Sequence, residues 1–271
     1  MPSASIRHVA RALSPFVASL HYHESDGATS LERILPGGRA HVMVNLYEDE
    51  FRTYHGADSG TIRRTIGAIF EGPASHARVI DTRLQRSLVS VNFKLGGAAA
   101  FLKTPISEAR DELVELDRLW GTDGAVLRER LLEAPSPEAK LRALETALLE
   151  QLDTRSKPDP AIAFAASLFE RGVSVKEVSS RTGLLPKTLV RRFRALVGLT
   201  PKRFSRVRRL QRMVGSIRDP RDVDWCEMAA VHGYADQAHL VHDFRELTGL
   251  TPTEYRPRST DERNHVPVSP G

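Results

Sequence analysis

In this chain of 271 residues, two segments of the C-terminal third have similar sequences. RTGLLPKTLVRRFRALVGLTPKRF begins at Arg181, and GYADQAHLVHDFRELTGLTPTEYR begins at Gly233. Aligned with an offset of 51 residues, the two copies share Gly-Leu-Thr-Pro and a set of apolar side chains at helical spacing. These matched positions, which predict the buried face of a helix in each copy, are Leu189 with Leu240, Phe193 with Phe244, Leu196 with Leu247 and Phe204 with Tyr255.

Signals for the start and the end of helices surround both copies. Ser174, Asp224 and Thr251 each stand three residues before a glutamate, which is the capping-box pattern of a helix N-terminus. Glycines after the apolar runs and prolines in first turns mark further boundaries. Together these signals predict helices over about 160–171, 174–181, 186–196, 201–217, 225–231, 236–247 and 252–256.

Each copy therefore predicts a short helix, a turn and a second helix, which is the layout of a helix-turn-helix unit whose second helix enters the major groove of DNA. The helix between the copies would be about 25 Å long at 1.5 Å per residue. Because one turn of DNA is about 34 Å long, that helix would hold the two units roughly one turn apart. The repeat thus predicts that one chain contacts two successive major-groove segments on the same face of the duplex.

The distribution of charge also points to nucleic acid. The formal net charge is +5, but residues 1–158 carry 20 Lys/Arg against 21 Asp/Glu, whereas residues 159–257 carry 17 against 11. Between Lys187 and Arg212 there are ten basic residues and no acidic one. A solvated helix face normally mixes charges of both signs. A cluster of one sign favours a polyanionic partner, most simply nucleic acid.

The first half of the chain has a different pattern. Short alternating or apolar runs over 40–46, 65–70, 78–80 and 87–93, separated by Gly and Pro, predict strands, and leucines at helical spacing after residue 97 predict helices. A polar segment with two prolines then predicts a linker. We therefore expect a two-domain α+β chain. Residues 1–153 would form a small β-barrel, cupin-like domain with its helical segment, and residues 154–160 a linker. Residues 161–257 would form an all-α domain of two helix-turn-helix units joined by a long helix, and residues 258–271 a disordered tail.

The second copy carries a specific resemblance to a known family. Gly233-Tyr-Ala-Asp-Gln-Ala-His-Leu240, together with Phe244, Gly249, Thr251-Pro252 and Tyr255-Arg256, resembles the signature of the AraC/XylS family of bacterial transcription regulators. The resemblance covers about 100 residues, from 159 to 257. Residues 12–152 resemble, less specifically, the cupin-like sensor domain of some members, through Leu35-Pro-Gly-Gly38, Gly72-Pro73 and Asn92-Phe-Lys-Leu-Gly-Gly97, although Leu95 stands where that family often has proline.

The resemblance implies a cytoplasmic, sequence-specific DNA-binding transcription regulator that is not an enzyme and uses no cofactor. Its N-terminal domain would sense a small molecule or dimerise. Its partners would be double-stranded DNA, RNA polymerase, a small-molecule effector and a second copy of the chain. The single cysteine agrees with a reducing compartment, and the lack of a long apolar run predicts neither a signal peptide nor a membrane-spanning helix.

By the same resemblance, the helix at 186–196 is the main recognition helix. Its face opposite Leu189 and Phe193 carries donors that can read guanine and groups that can contact a thymine methyl. We expect Arg191 to read bases and Arg192 to contact either a phosphate or a group within the domain. The candidate DNA-binding residues of this helix are Lys187, Thr188, Val190, Arg191, Arg192 and Arg194.

The connecting helix and the second unit carry a different balance of charge. Arg203, Arg206 and Arg209 are expected to divide between phosphate contacts and salt bridges to the acidic residues of the second unit. His242 stands where many family members have arginine, and Asp236 is the expected N-cap of the helix at 236–247. We therefore expect the second unit to act mostly through phosphates and its helix N-terminus. Its candidate groove contacts are Gln237, His239 and His242, and Arg206 and Arg209 complete the candidate DNA-binding set.

Two rival functions come from the N-terminal domain. A cupin-like barrel could hold a metal ion, for an enzyme or a metal sensor, between the histidines of this half, which are His21, His23, His41, His55 and His76. No carboxylate completes a clear ligand set with them. Alternatively, helices within 98–152 could form a dimer interface in a pure interaction module. Cys226, inside a predicted helix, is expected to be a buried structural thiol.

Overall fold

The computed structural model describes residues 3–6, 9–25, 31–55 and 61–268. Its strands form two antiparallel sheets. The strands are β1 (Ser3–Ile6), β2 (Val17–Glu24), β3 (Leu31–Ile34), β4 (His41–Asn45), β5 (Glu50–His55), β6 (Thr61–Ile66), β7 (Ala68–Glu71), β8 (Arg78–Asp81), β9 (Ser87–Phe93), β10 (Leu113–Glu115) and β11 (His265–Pro267). The first sheet has the order β1-β2-β9-β4-β7-β10, and the second has the order β11-β3-β8-β5-β6.

Alternation along the strands of the first sheet gives it two different faces. Val42 and Val44 on β4, with Val89 and Val91 on β9, are buried in the main core of this half. They pack there with the apolar faces of three helices, α1 (Leu116–Trp120), α2 (Thr122–Glu133) and α3 (Pro137–Gln151). The alternate residues, such as Met43, face the second sheet. A two-sided sheet of this kind is what a period of two residues predicts.

The C-terminal third is helical, as the sequence predicts. The helices are α4 (Pro160–Glu170), α5 (Val175–Thr182), α6 (Pro186–Val197), α7 (Pro201–Ser216), α8 (Trp225–Val231) and α9 (Gln237–Thr248), followed by a 3-10 turn at Pro252–Glu254. Ser174, Asp224 and Thr251 cap their helices, and Thr251 does so in a full capping box with Glu254. Helices α5 and α6 form the first helix-turn-helix unit, and α8 and α9 form the second.

Each unit has its own aromatic core. Phe193 on α6 packs edge-on against Phe169 and Phe204, with ring centroids 5.2 Å and 5.4 Å away. Phe244 on α9 packs in the same way against Trp225 and Tyr255, at 6.4 Å and 5.8 Å. The matched positions of the two copies, Phe193 with Phe244 and Phe204 with Tyr255, thus have the packing role that the repeat predicts.

Both units are docked on the N-terminal half through the ends of their second helices. The amide of Ala77 donates to the carbonyl of Leu247 at 2.7 Å, and Arg33 donates to the carbonyl of Thr248 at 3.1 Å. At the end of α6, Gly198 lies so close to Pro73 that a Cβ there would sit 2.6 Å from the proline Cγ. The two Gly-Leu-Thr-Pro segments therefore end their helices at the boundary with the sheet domain.

Two expectations are wrong in detail. The single strand expected over 65–70 is two strands, β6 and β7, because the chain turns at Gly67, whose amide donates to Asp49 at 3.1 Å. The tail from 258 onward, expected to be disordered, is placed up to residue 268, and β11 within it adds to the edge of β3. Its polar composition hid this strand, because pairing with an available sheet edge supplies hydrogen bonds that no local pattern reveals. The remaining residues of the tail, 269–271, lie outside the described part of the chain.

Candidate nucleic-acid interface

Helix α6 presents its basic side chains to solvent because its apolar ones face inward. Leu189 and Phe193 are fully buried, so that Lys187, Arg191 and Arg194, on the remaining faces of the helix, are exposed. Thr188 and Val190 are half-buried beside them. Among the described residues, no carboxylate forms a salt bridge with Lys187, Arg191 or Arg194. These three cations are the sequence-predicted site residues best placed to meet a polyanion.

Arg192 has a different environment from its neighbour Arg191. Its guanidinium pairs with Asp159, and the Nε atom lies 3.1 Å from Oδ2 of that carboxylate. Asp159 also caps α4, because its other oxygen accepts from the amides of Ala161 and Ile162 at 3.1 Å and 3.2 Å. Arg192 therefore ties the first recognition helix to α4. Arg192 is expected from the sequence to contact either a phosphate or a group within the domain, and in the structure it makes the contact within the domain.

Arg206 and Arg209 on α7 hold the second recognition helix. Arg206 donates to Asp243 at 2.8 Å and also pairs with Glu246, and Arg209 donates to the other oxygen of Asp243 at 2.7 Å. The hydrogen bonds to Glu246 and then to Asp243 raise the pKa of the Arg206 guanidinium. Arg203 pairs with Glu246 at 3.2 Å. The expected salt bridges to the second unit are therefore present.

Arg209 also stacks on an aromatic ring. Its guanidinium carbon lies 4.1 Å from the ring centroid of Tyr234, within the range of a cation–π contact. Burial raises the pKa of the Tyr234 phenol to about 12. The same arginine donates to the carbonyl of Gly233 at 3.0 Å. These contacts fix the turn before α9 to the connecting helix.

The three candidate groove contacts of α9 differ in how free they are. His242 is the most exposed, with 77% of its side chain accessible, and its Nε2 lies 3.9 Å from Glu246. His239 packs its ring edge-on against Tyr234 at 5.3 Å, and its Nδ1 accepts from the amide of Ala235 at 3.3 Å. Gln237 is exposed, and its Oε1 accepts from the thiol of Cys226 at 3.0 Å. Asp236 caps the helix as expected, accepting from the amide of His239.

Cys226 is exposed, so its expected burial is wrong. The helix it lies on, α8, buries Trp225 and Ala229, which leaves the thiol on the outer side next to Gln237.

A wide cleft of about 910 Å³ separates the two units. One wall comes from the turn between α4 and α5, and another comes from α9 and the turn before it. The floor is α7. Its basic lining residues are Arg171, Lys202, Arg206, Arg209, Arg212 and the imidazoles of His232, His239 and His242. Asp243 and Glu246 neutralise part of this charge, which leaves Arg171, Lys202 and Arg212 as its principal uncompensated cations.

A second cavity, of about 330 Å³, lies between the two sheets of the N-terminal half. Apolar side chains from both sheets line it, among them Met43, Phe51, Ile80, Leu88 and Leu113. Its polar lining includes Arg39, His41, Arg52, Glu71, Arg78 and, from the C-terminal tail, Asn264 and His265. No local pattern in the sequence indicates that Asn264 and His265 line this cavity, because the tail lies more than 200 residues from the strands it joins.

Two histidines of this half, His21 and His41, are engaged with neutral polar groups, whereas His76 contacts the guanidinium of Arg203. His21 and His23 point to the same side of β2, as the sequence predicts, opposite the buried Tyr22. His21 Nε2 lies 2.7 Å from Ser19 Oγ, and His41 Nδ1 lies 2.9 Å from Asn92 Oδ1. Among the residues that the structure describes, no three His, Cys, Asp or Glu side chains gather in a way that could hold a metal ion. The side chain of His55 lies outside the described residues, and the others do not support the metal-centred rival.

A helix-turn-helix family matches the region of the chain that contains the repeat. Residues 166–258 match a family described as a helix-turn-helix domain, and residues 8–115 match a family described as a domain of unknown function, DUF6597. The C-terminal region therefore contains a helix-turn-helix domain, the kind of domain that the repeat predicts and that places a recognition helix in the major groove of DNA. No curated protein sequence matched the chain.

Similar solved structures include three of ToxT from Vibrio cholerae. One crystal form has 10% sequence identity and a TM-score of 0.45, over 93% of this chain and 97% of that one. The form bound to an unsaturated fatty acid has 8% identity and a TM-score of 0.41, over 87% and 92%. The form bound to (E)-4-(8-methylnaphthalen-1-yl)but-3-enoic acid has 12% identity and a TM-score of 0.41, over 84% and 97%. Similarity at this level assigns neither a ligand nor a role to any residue of this chain.

In the described part of the chain, no helix is both long enough and apolar enough to span a membrane.

Proposed function

We propose that this protein is a sequence-specific, bacterial cytoplasmic regulator that reads DNA mainly with its first helix-turn-helix unit and grips the phosphate backbone with its second. The observation that carries this proposal is the contrast between the two recognition helices. On α6, Lys187, Arg191 and Arg194 are exposed, and no carboxylate of the described residues forms a salt bridge with them. On α9, Asp243 and Glu246 are committed to arginines of α7, and His242 is the most exposed candidate.

Roles follow from chemistry and position. Arg191 and Lys187, one helical turn apart, donate to guanine O6 and N7, and Thr188 and Val190 lie beside them for contact with a thymine methyl. Arg194, Gln237, His239 and His242 supply phosphate or groove contacts. Residues 161–257 form the DNA-binding part, and residues 154–160 link it to the sheet domain. RNA polymerase is the expected partner at a regulated promoter.

The test is selection of binding sites from random duplex DNA by the full-length protein at near-physiological salt. The expected result is one strongly defined block of sequence with a weaker block about one helical turn away. A Lys187→Ala/Arg191→Ala double variant should lose the strong block. Recovery of an unenriched pool by the wild-type protein would contradict the proposal.

We further propose that the N-terminal cavity binds a small molecule with an apolar body and an anionic group. Its volume of about 330 Å³ is at the lower end of ligand-binding cavities, which span roughly 300–1,000 Å³. Three arginines line it among apolar side chains from both sheets, and they pair with Glu170, Glu50 and Glu71. An anionic group in the cavity would share guanidinium donors with these carboxylates. The test is thermal unfolding of the full chain with a panel of small organic carboxylates. A stabilising compound should lose its effect in a Met43→Trp variant, whose larger side chain fills the cavity; if no carboxylate raises the unfolding temperature, the ligand class is wrong.

Dimerisation is the second candidate role of the N-terminal half. Large apolar side chains are exposed on α2 and α3, where Val126, Leu132 and Leu149 are each 38% or more accessible. A second copy of the chain would cover them. Light scattering of the wild type and of a Leu132→Asp variant tests this role, because the variant should be monomeric at concentrations where the wild type is a dimer.

A further inference from the structure

The chain beyond the second helix-turn-helix unit returns to the N-terminal half. Strand β11 pairs antiparallel with β3, with His265 opposite Ile34 and Pro267 opposite Glu32. Two more backbone hydrogen bonds extend the pairing at either end. The amide of Leu35 donates to the carbonyl of Asn264, and the amide of Val268 donates to the carbonyl of Leu31, both at 2.9 Å. We call residues 258–268 the strap.

A buried carboxylate anchors the strap. Glu32 on β3 has only 2% of its side chain exposed. One of its oxygens lies 3.1 Å from Arg258, and the other lies 2.7 Å from Nδ1 of His265. Both partners belong to the strap. Because a carboxylate is costly to bury unless it is paired, Glu32 stabilises the fold only when the strap is in place.

The same segment is attached to the second unit and to the connecting helix. Tyr255, fully buried in the core of the second unit, donates its hydroxyl to the carbonyl of Arg263 at 2.8 Å. Val266 of the strap and Leu35 of the sheet domain join that core. Gln211 on α7 donates to Asn264 Oδ1 at 2.9 Å. The strap therefore contacts β3, α7 and the core around α9 at once.

Two strap residues also form part of the cavity wall. Asn264 and His265 line the space between the sheets. A molecule in that cavity would touch the strap directly, and the strap touches the second DNA-reading unit directly. No other described segment that lines the cavity comes from the part of the chain after the second unit.

We propose that the strap couples the cavity to the second helix-turn-helix unit, so that occupancy of the cavity and DNA binding by that unit change each other's free energy. This inference rests on the proposed function, because it assumes that the chain binds duplex DNA. Coupling between two sites is reciprocal. DNA bound at the second unit must therefore change the stability of the strap, although the strap lies on the side of the unit that faces the sheets. This consequence can be tested without knowing the effector.

The test is amide hydrogen exchange of the full chain, with and without a saturating duplex that carries both selected blocks. The expected result is a change of at least threefold in exchange at Leu35 and Val268 when DNA binds, together with protection of α6. If exchange at both amides is unchanged while α6 becomes protected, the coupling is overturned and the proposed DNA-binding function stands. If α6 itself gains no protection, the proposed DNA-binding function fails, and the coupling fails with it.

A matched pair of variants tests the anchor. Glu32→Gln removes the buried charge that holds the strap, whereas Glu262→Gln removes a surface carboxylate that lies 3.3 Å from the same Arg258. Glu32→Gln should speed exchange at Leu35 at least tenfold and change the affinity for the two-block duplex at least threefold. It should not change the affinity for a short duplex that ends after the first block and so offers the second unit no phosphates. Glu262→Gln should change neither quantity. The proposal is overturned if Glu32→Gln leaves exchange at the wild-type rate, or if exchange rises and affinity for the two-block duplex stays the same.

Discussion

Arg206 on the connecting helix and Asp243 on the second recognition helix form an ion pair at 2.8 Å, in which the carboxylate side chain is only 4% exposed. Asp243 is shared with Arg209, so that one buried carboxylate receives two guanidinium groups. This pairing sets the position of α9 relative to α7. It also makes the two recognition helices differ in charge, because basic residues close to the second one are paired with carboxylates of that helix.

Loss of this shared carboxylate should destabilise the second unit. Asp243→Ala removes the buried carboxylate that two partly buried guanidinium groups share, and leaves Arg206 with Glu246 alone. Breaking a buried pair on one side costs about 3–5 kcal/mol. Glu246→Ala, one turn further along the same helix and more exposed, should cost less than about 1 kcal/mol. Urea unfolding monitored by the fluorescence of Trp225, which packs against Phe244, measures both free energies of unfolding. Equal losses for the two variants would show that burial does not distinguish them.

Base reading should be concentrated in the first unit. Arg191→Ala should weaken binding to the selected duplex by about 1–3 kcal/mol and relax sequence preference in one block. His242→Ala should cost less, because it removes an imidazole, and not a guanidinium that can pair with guanine, from the unit that we assign to the phosphates. Fluorescence anisotropy at one fixed salt concentration compares the two variants with an Arg118→Ala control in the N-terminal half. A greater loss for His242→Ala would reverse the ranking of the units.

Salt dependence distinguishes free arginines and lysines from those engaged within the fold. Lys187→Ala should reduce the slope of log affinity against log salt by about 1, because one phosphate or groove contact and its released counterion are lost. Arg209→Ala should leave this slope unchanged and lower the stability of the second unit instead, because Arg209 is bound to Asp243 and stacked on Tyr234. Titrations at several salt concentrations, with unfolding measured in parallel, test the contrast. A reduced slope for Arg209→Ala would assign that residue to DNA.

Acid should weaken the docking of the second unit through His76. Burial, and next the guanidinium of Arg203, lower the pKa of His76 below its usual 6.5, against the opposing effect of Asp111 and Glu246. The unfolded chain therefore binds a proton at this position more readily than the folded one, so the free energy of unfolding falls as the pH drops below about 6.5. His76→Gln should lose less stability than the wild type between about pH 7.5 and pH 5. Identical losses in urea unfolding would mean that His76 does not contribute to the pH dependence.

The sequence predicts the helical third of the fold well because its signals are local. Capping residues, first-turn prolines and matched apolar positions such as Phe193 and Phe244 each act within a few residues, and the structure confirms the helices they predict. The sequence predicts that the first half is rich in strands, but it does not predict how many strands there are. Several strands, including β3 and β5, carry no clear alternation, and β11 exists only because an edge of another sheet is available to it.

The candidate site is predicted in composition but not in its contacts. Arg191 and Arg192 are adjacent and chemically identical, and only the position of Asp159, more than 30 residues earlier, separates their environments. Leu35 and Leu95 come from the sheet domain, yet they pack against the cores of the second and the first unit, respectively. Such contacts depend on how the two halves meet, which no periodicity within either half specifies.

A hydroxyl-radical footprint of the full-length protein on its selected duplex shows whether both helix-turn-helix units contact DNA. If two reading units joined by α7 contact one face of DNA, two protected patches will appear about one helical turn apart, and Arg191→Ala will weaken the patch over the strongly defined block. A single patch no wider than one helix-turn-helix unit would contradict the account, because the second unit would then not touch the DNA at all.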